Sequence, residues 1–153
     1  VRNLQIHTYE EGFVKNLKLS VVVLLLTLSA GLLFAEGLTA QEMMAAAKAE
    51  ITEITVADAK GLHDQGGIMF IDVRERNETA TGVIPGATAI PRGLLEFRIA
   101  GAQADKNAKI VVYCKSGGRS SLATQTLLKM GYTNAVSMAG GWGAWEQAGY
   151  PVE

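Results

Sequence analysis

Lys109-Ile-Val-Val-Tyr-Cys114-Lys-Ser-Gly-Gly-Arg119-Ser120 is the stretch on which the fold turns. Lys109 to Tyr113 is β-branched and aromatic, the composition of a buried strand. Cys114 closes that strand. Four residues, Gly117-Gly118 among them, separate it from Arg119, and a helix is predicted to open at about Ser120. In an open parallel α/β sheet, sites form at the carboxyl ends of strands. A tight turn there, feeding a helix N-terminus, points backbone N–H groups inward. Glycines allow the positive φ values and close approaches such a turn needs. Cys114 would sit in that cradle, with Lys115 and Arg119 adding positive charge.

Each of these features favours thiolate over thiol. A free cysteine titrates near 8.5, so only about 3% is ionised at neutral pH. Lowering that value by about two, roughly 2.7 kcal/mol of preferential stabilisation, makes most of it thiolate. The bland alternative is an inert core cysteine. A core cysteine needs no Lys-Ser-Gly-Gly-Arg turn after it, and this one stands at a strand end.

Outward from the turn, the pattern alternates. Thr39-Ala-Gln-Glu42 is a capping box leading an alanine-rich helical run. Thr55-Val-Ala-Asp58 opens a second helix that Gly66-Gly67 ends. Ile68–Val73 and Ala87–Ile90 read as short strands, with a helix over Leu94–Ile99. Ser120–Met130 carries apolar residues at three- and four-residue steps and stops at Gly131. Ala135–Met138 is a strand and Trp142–Ala148 a closing helix. Strands alternating with helices predict an α/β fold, a mostly parallel sheet with helices on both faces. Trp142 and Trp145 are read as core, Met43 and Met44 as packing residues, and His63 as lying on a helix surface.

The whole chain has 153 residues, 48% hydrophobic and 19% charged, with a net charge of -1. That excludes a mostly disordered chain. Without a basic run, nucleic acid is not an expected partner. One cysteine cannot form an internal disulfide or a thiolate zinc site, and His7 and His63 lack ligand spacing, so no metal is expected.

Leu19–Ala35 carries no charge, follows Lys15 and Lys18, and ends among small residues. Residues 1–35 are therefore read as an N-terminal extension with a signal peptide, cleaved after Ala35 or else Ala40. The alternative is an uncleaved anchor, since about 17 apolar residues is the lower limit for a span. Either reading carries Ala40–Glu153 across a membrane, by expectation into a bacterial periplasm. The N-terminal segment is then the protein's one route to a membrane. Residues 36–53 form a helical lead-in, and the folded domain spans 54–153. Setting residues 1–35 aside removes Arg2, Lys15, Lys18, Glu10 and Glu11 and leaves a net charge of -2, unsuited to anionic surfaces.

Four motifs together resemble the rhodanese, or thiosulfate sulfurtransferase, family from about Ile54 to Pro151. They are Ile71-Asp72-Val73-Arg74-Glu75; Gly82-Val83-Ile84-Pro85-Gly86-Ala87; the turn Cys114–Arg119; and Gly140-Gly141-Trp142 with Ala148-Gly149-Tyr150-Pro151-Val152. Val83 stands where the family usually has His. The resemblance implies a five-stranded parallel sheet with helices on both sides. It also implies a ping-pong cycle through a Cys114 persulfide, with no cofactor beyond it. A small donor such as thiosulfate loads the sulfur, and cyanide or a thiol removes it. Lys115, Ser116, Gly117, Gly118, Arg119 and Ser120 are the expected substrate-binding residues, through their N–H groups and two cations. Arg119 either holds an anionic donor or braces the turn. Asp72 and Arg74 support the turn by charge, or form a pair that only ties strand to loop. Gly93–Gly101 is expected to flank the mouth.

Two other readings compete. Phosphatases and arsenate reductases of this shape place five residues between Cys and Arg. The four here predict a smaller cradle, sized for sulfur. A non-catalytic sulfur-carrier or binding module would hand sulfur to a dedicated partner. In an oxidising compartment with no resolving cysteine, Cys114 is expected to rest partly as persulfide or mixed disulfide.

Overall fold

The computed structural model describes residues 37–153. The expectations for residues 1–35, the export run included, lie outside the described residues. Thr39–Glu153 forms one compact unit.

Two capping boxes start the first two helices. Thr39 Oγ1 accepts from Glu42 N at 3.2 Å, and Glu42 Oε2 accepts from Thr39 N at 2.8 Å, opening α1 (Ala40–Glu50). Thr55 and Asp58 repeat the arrangement for α2 (Val56–Gln65), which Gly66 ends. The remaining elements are β1 (Glu53–Ile54), β2 (Met69–Asp72), α3 (Arg76–Thr79), β3 (Thr88–Ala89), α4 (Leu95–Ala102), β4 (Ile110–Tyr113), α5 (Gly118–Lys129), β5 (Ala135–Met138) and α6 (Gly141–Gln147). A short 3-10 turn, Arg92–Leu94, precedes α4.

The five strands are all parallel, in the order β1-β5-β4-β2-β3. β4 lies between β2 and β5, so its carboxyl end is surrounded by the loops that follow its neighbours. Every residue of β4 is buried, as expected for a strand covered on both faces. The two-residue period divides its side chains. Ile110, Val112 and Cys114 join Leu95 and Ile99 of α4 and Ala123 and Leu127 of α5 on one face. Val111 and Tyr113 join Ala59 of α2 and Trp142 and Trp145 of α6 on the other.

Most predicted elements appear within a residue of their expected ends. Three differences have physical causes. β1 has two residues and no legible period; it exists because β5 offers it an edge, with Ser137 N donating to Thr52 O and Ala139 N to Ile54 O. α3 is a four-residue helix, too short to leave a pattern. α5 begins at Gly118, not Ser120, because Gly117 in the left-handed region (φ 100°) turns the chain directly into it. The helix of the 36–53 segment is α1, which packs along α5; Gln125 donates to Glu50 at 2.6 Å.

His63 departs from its expected place on the helix surface. Its ring packs edge-on against Phe70 and Trp145, at 5.4 and 5.8 Å between centroids, and Nε2 donates to Pro85 O at 2.9 Å. α6 folds back over α2 there, which sequence spacing does not reveal. Trp142 and Trp145 are core as expected, and Met44 packs on α5 while Met43 stays exposed.

Candidate active site

The alternation along β4 aims the Cys114 side chain at the start of α5, inside the turn that follows. The residue is 1% exposed. Gly117 N donates to Sγ at 3.2 Å, and the Ser120 hydroxyl lies 3.7 Å from it. Burial by itself raises the thiol's pKa. The amides of Ser120, Ser116 and Gly117, with the Ser120 hydroxyl, outweigh that cost and hold it below the ordinary cysteine value. The positive end of the α5 macrodipole acts in the same direction.

The turn's carbonyls point the other way, and α6 explains why. Trp142 N donates to Cys114 O at 2.7 Å, and Gly143 N donates to Lys115 O at 3.0 Å. The first amides of α6 thus find partners in the turn, and the turn's own N–H groups are left facing the sulfur. Gly141 makes this contact possible. Its φ is +58°, and a Cβ there would collide with Cys114 O and the Lys115 peptide. Two helices therefore shape one loop: α5 receives its end, and α6 grips its outer side.

Arg119 stands in the first turn of α5 and forms a bidentate pair with Glu78 of α3, at 2.6 and 2.7 Å. Both terminal nitrogens are engaged, so the guanidinium braces the turn against α3. Its pKa is pushed up, first by the Glu78 hydrogen bonds and further by the charge of the Cys114 sulfur. The same bonds lower Glu78 to about 2. Lys115 and Ser116 are exposed at the rim, Gly118 opens α5 beneath Met44, and Ser120 is fully buried.

Asp72 and Arg74 are brought together, but on the opposite face of the sheet. Arg74 meets both Asp72 oxygens at 2.6 to 3.0 Å, donates to Gly82 O at 2.7 Å and lies 4.2 Å over the Trp142 ring. The pair ties β2 to the loop before β3. It makes no direct contact with Cys114, because alternate residues of β2 point to opposite faces. Its links toward the site are indirect: the Trp142 ring, whose residue donates to Cys114 O, and a long 3.4 Å bond from Arg74 Nη1 to Glu78 O. Val83 uses its backbone in a reciprocal pair with Glu153, at 2.8 and 3.0 Å.

Sequence reasoning missed Glu78, Ser137 and the α6 amides. Glu78 lies in the first turn of α3, where its carboxylate accepts from Glu75 N at 3.0 Å. Gly93 and Leu94 line a cleft of about 510 Å³ with Pro91 and with Glu75, Arg76 and Asn77 around the start of α3. A second cleft of about 360 Å³, lined by Lys109, Ile110 and Ala135, lies at the opposite ends of the strands, away from Cys114. Among the described residues, no cluster of three or more His, Cys, Asp or Glu could hold a metal, and no helix is long and apolar enough to cross a membrane.

Comparison with known proteins agrees with this geometry. The profile of the rhodanese-like domain matches residues 55–148. The chain belongs to the rhodanese-like domain family. A sulfurtransferase of Allochromatium vinosum is 34% identical over 91 residues, covering 60% of this chain and 83% of that protein. A human thiosulfate:glutathione sulfurtransferase is 34% identical over 104 residues, covering 60% of this chain and 90% of that one. Among solved structures, a Rhodopseudomonas palustris protein of unknown function, described as a possible tyrosine phosphatase, superposes with a TM-score of 0.71 at 33% identity. It covers 78% of this chain, which covers 97% of it. In this rhodanese domain the turn from Cys114 to Ser120 occupies the carboxyl end of the central strand. Family membership and the named relatives support a function of the sulfurtransferase type.

Proposed function

We propose that the protein moves a sulfane sulfur from thiosulfate, or a similar small donor, to cyanide or a thiol, through a persulfide on Cys114. The Cys114 thiolate attacks the outer sulfur of thiosulfate; the S–S bond of the donor breaks and sulfite leaves with its electron pair. Cyanide or a thiolate then attacks the outer sulfur of the persulfide and regenerates the Cys114 thiolate. The single observation that carries this reading is the buried sulfur itself, faced by the amides of Ser116, Gly117 and Ser120, with Gly117 N donating to it at 3.2 Å. Such a set suits an anion of one extra sulfur atom, and the same amides stabilise charge as it moves between sulfurs.

A phosphatase reading fares worse. Four residues separate Cys114 from Arg119, and the guanidinium that would have to hold a tetrahedral oxyanion is bound at both ends to Glu78. The decisive experiment is intact mass after thiosulfate treatment. The wild type is expected to gain one sulfur atom, lose it on adding cyanide, and release thiocyanate over many turnovers. Cys114→Ser is expected to gain nothing. Sulfur retained by wild type but not turned over would favour a carrier. A wild type that gains no sulfur overturns both.

A further inference from the structure

We propose that Ser137 is a positioning residue for Cys114, acting through the Ser120 hydroxyl. This rests on the reading of Cys114 as the nucleophile and adds a residue that lies outside the turn.

Ser137 belongs to β5, next to the catalytic strand, and pairs with Val112. The strand's period points Ala135 and Ser137 at α5, whose buried residues are Ala123 and Leu127 with the hydroxyl-bearing Ser120, Ser121 and Thr124. Ser137 is 0% exposed there, and so is Ser120. A hydroxyl in such a place is costly unless it is hydrogen-bonded. Ser137 Oγ donates to Ser120 Oγ at 3.0 Å.

Ser120 is a junction. Besides Ser137, its oxygen lies 3.1 Å from Gly117 O and 3.7 Å from Cys114 Sγ. A hydroxyl has one proton and two lone pairs. While Cys114 is a thiol, S–H donates to Ser120 Oγ, and the Ser120 proton goes to Gly117 O. When Cys114 is a thiolate, sulfur can only accept, and the Ser120 hydroxyl turns from Gly117 O toward it. The Ser137 donation persists in both states. It fixes the Ser120 oxygen and polarises its O–H bond, and a polarised donor gains most when the acceptor is an anion. Ser137 therefore favours the thiolate over the thiol without touching sulfur or substrate.

The charged groups around the sulfur are accounted for. Arg119 faces it from α5 with Glu78 of α3 bound behind. Lys115 is at the exposed rim, and Asp72 of β2 is turned to the other face with Arg74. β5 contributes a neutral hydroxyl, so its effect on the titration is separable from the ion pair.

The test is a pH titration of thiolate absorbance in the ultraviolet, with Cys114→Ser as the blank for tyrosines. Ser137→Ala is expected to raise the Cys114 midpoint, so that the thiolate fraction near neutral pH falls about three- to tenfold. Ser137→Thr, which keeps the hydroxyl, is expected to restore it. In a Ser120→Ala background the Ser137→Ala change is expected to add nothing. If alanine loosens β5, Ser137→Thr and Ser137→Val give the same comparison, since they match in shape and differ in the hydroxyl. A midpoint that does not move when the hydroxyl is removed, or a shift that persists without Ser120, overturns the proposal. No sulfur donor is needed, so failure of sulfur loading with a shifted midpoint counts against the persulfide reading alone.

Discussion

The ends of β2 and β4 solve the same problem in opposite ways. Both strands deliver an acidic side chain into a turn at the carboxyl edge of one sheet, and both side chains are buried: Asp72 at 0% exposure and Cys114 at 1%. Asp72 is met by a full countercharge, since Arg74 engages both its oxygens and is itself 2% exposed. Cys114 is met mainly by partial charges, the N–H dipoles of its own turn, and the nearest guanidinium is already bound to Glu78. A paired carboxylate is neutralised and inert. In the proposed function, a sulfur whose pKa is lowered by amide dipoles stays free to attack. Both side chains are buried, so the contrast between the two turns lies in the partner: a bidentate ion for Asp72, chiefly backbone amides for Cys114.

Three substitutions test that contrast, beginning with the largest. Arg74→Ala leaves the Asp72 carboxylate buried and unpaired, and is expected to cost about 3–5 kcal/mol in urea unfolding. The Cys114 titration midpoint of the folded fraction is expected to stay in place, because the pair lies on the opposite face. A large shift there would erase the distinction between the two turns.

Gly141→Ala acts on the other side of the comparison. It places a Cβ against Cys114 O and demands a left-handed backbone of a residue that resists it. The expected loss is about 2 kcal/mol, with sulfur loading slowed about tenfold as the turn's carbonyls lose the α6 amides. Thermal unfolding and the time course of mass gain measure the two effects separately.

Glu78→Gln is the smallest. The pair is partly exposed, with side-chain exposures of 24% for Glu78 and 35% for Arg119, so about 1 kcal/mol is expected. The sign with pH is fixed by the depressed folded value of about 2. The unfolded chain binds the proton first, so the pair's contribution is complete above about pH 4.5 and is lost as pH falls toward 2. The wild type's advantage over Glu78→Gln is expected to shrink across that window in unfolding measured at a series of pH values. An advantage that held constant there would mean that the pair is not the source.

Local chemistry was legible in advance. The β-branched run through Val112, the Thr39 and Thr55 caps, and the Cys114 turn with its glycines each depend on neighbours a few residues away, and each forms as expected, except that the helix after the turn starts two residues early. The partner that selects between the two expected roles of Arg119, and the packing of His63, are not legible. Arg119 meets a partner in α3, and His63 packs against β2 and α6.

The sequence by itself determined that a strand ends in Cys114 and turns through glycine into a helix, because backbone propensity and the permitted φ of glycine are properties of short segments. Only the tertiary structure decided which groups close around the sulfur. Parallel pairing of β4 with β5 brings Ser137 beside Ser120, the fold-back of α6 turns the Cys114 and Lys115 carbonyls outward, and α3 supplies Glu78 to Arg119. Those contacts join residues distant in the chain. Their cost in entropy is met by packing the whole sheet, so no local pattern announces them.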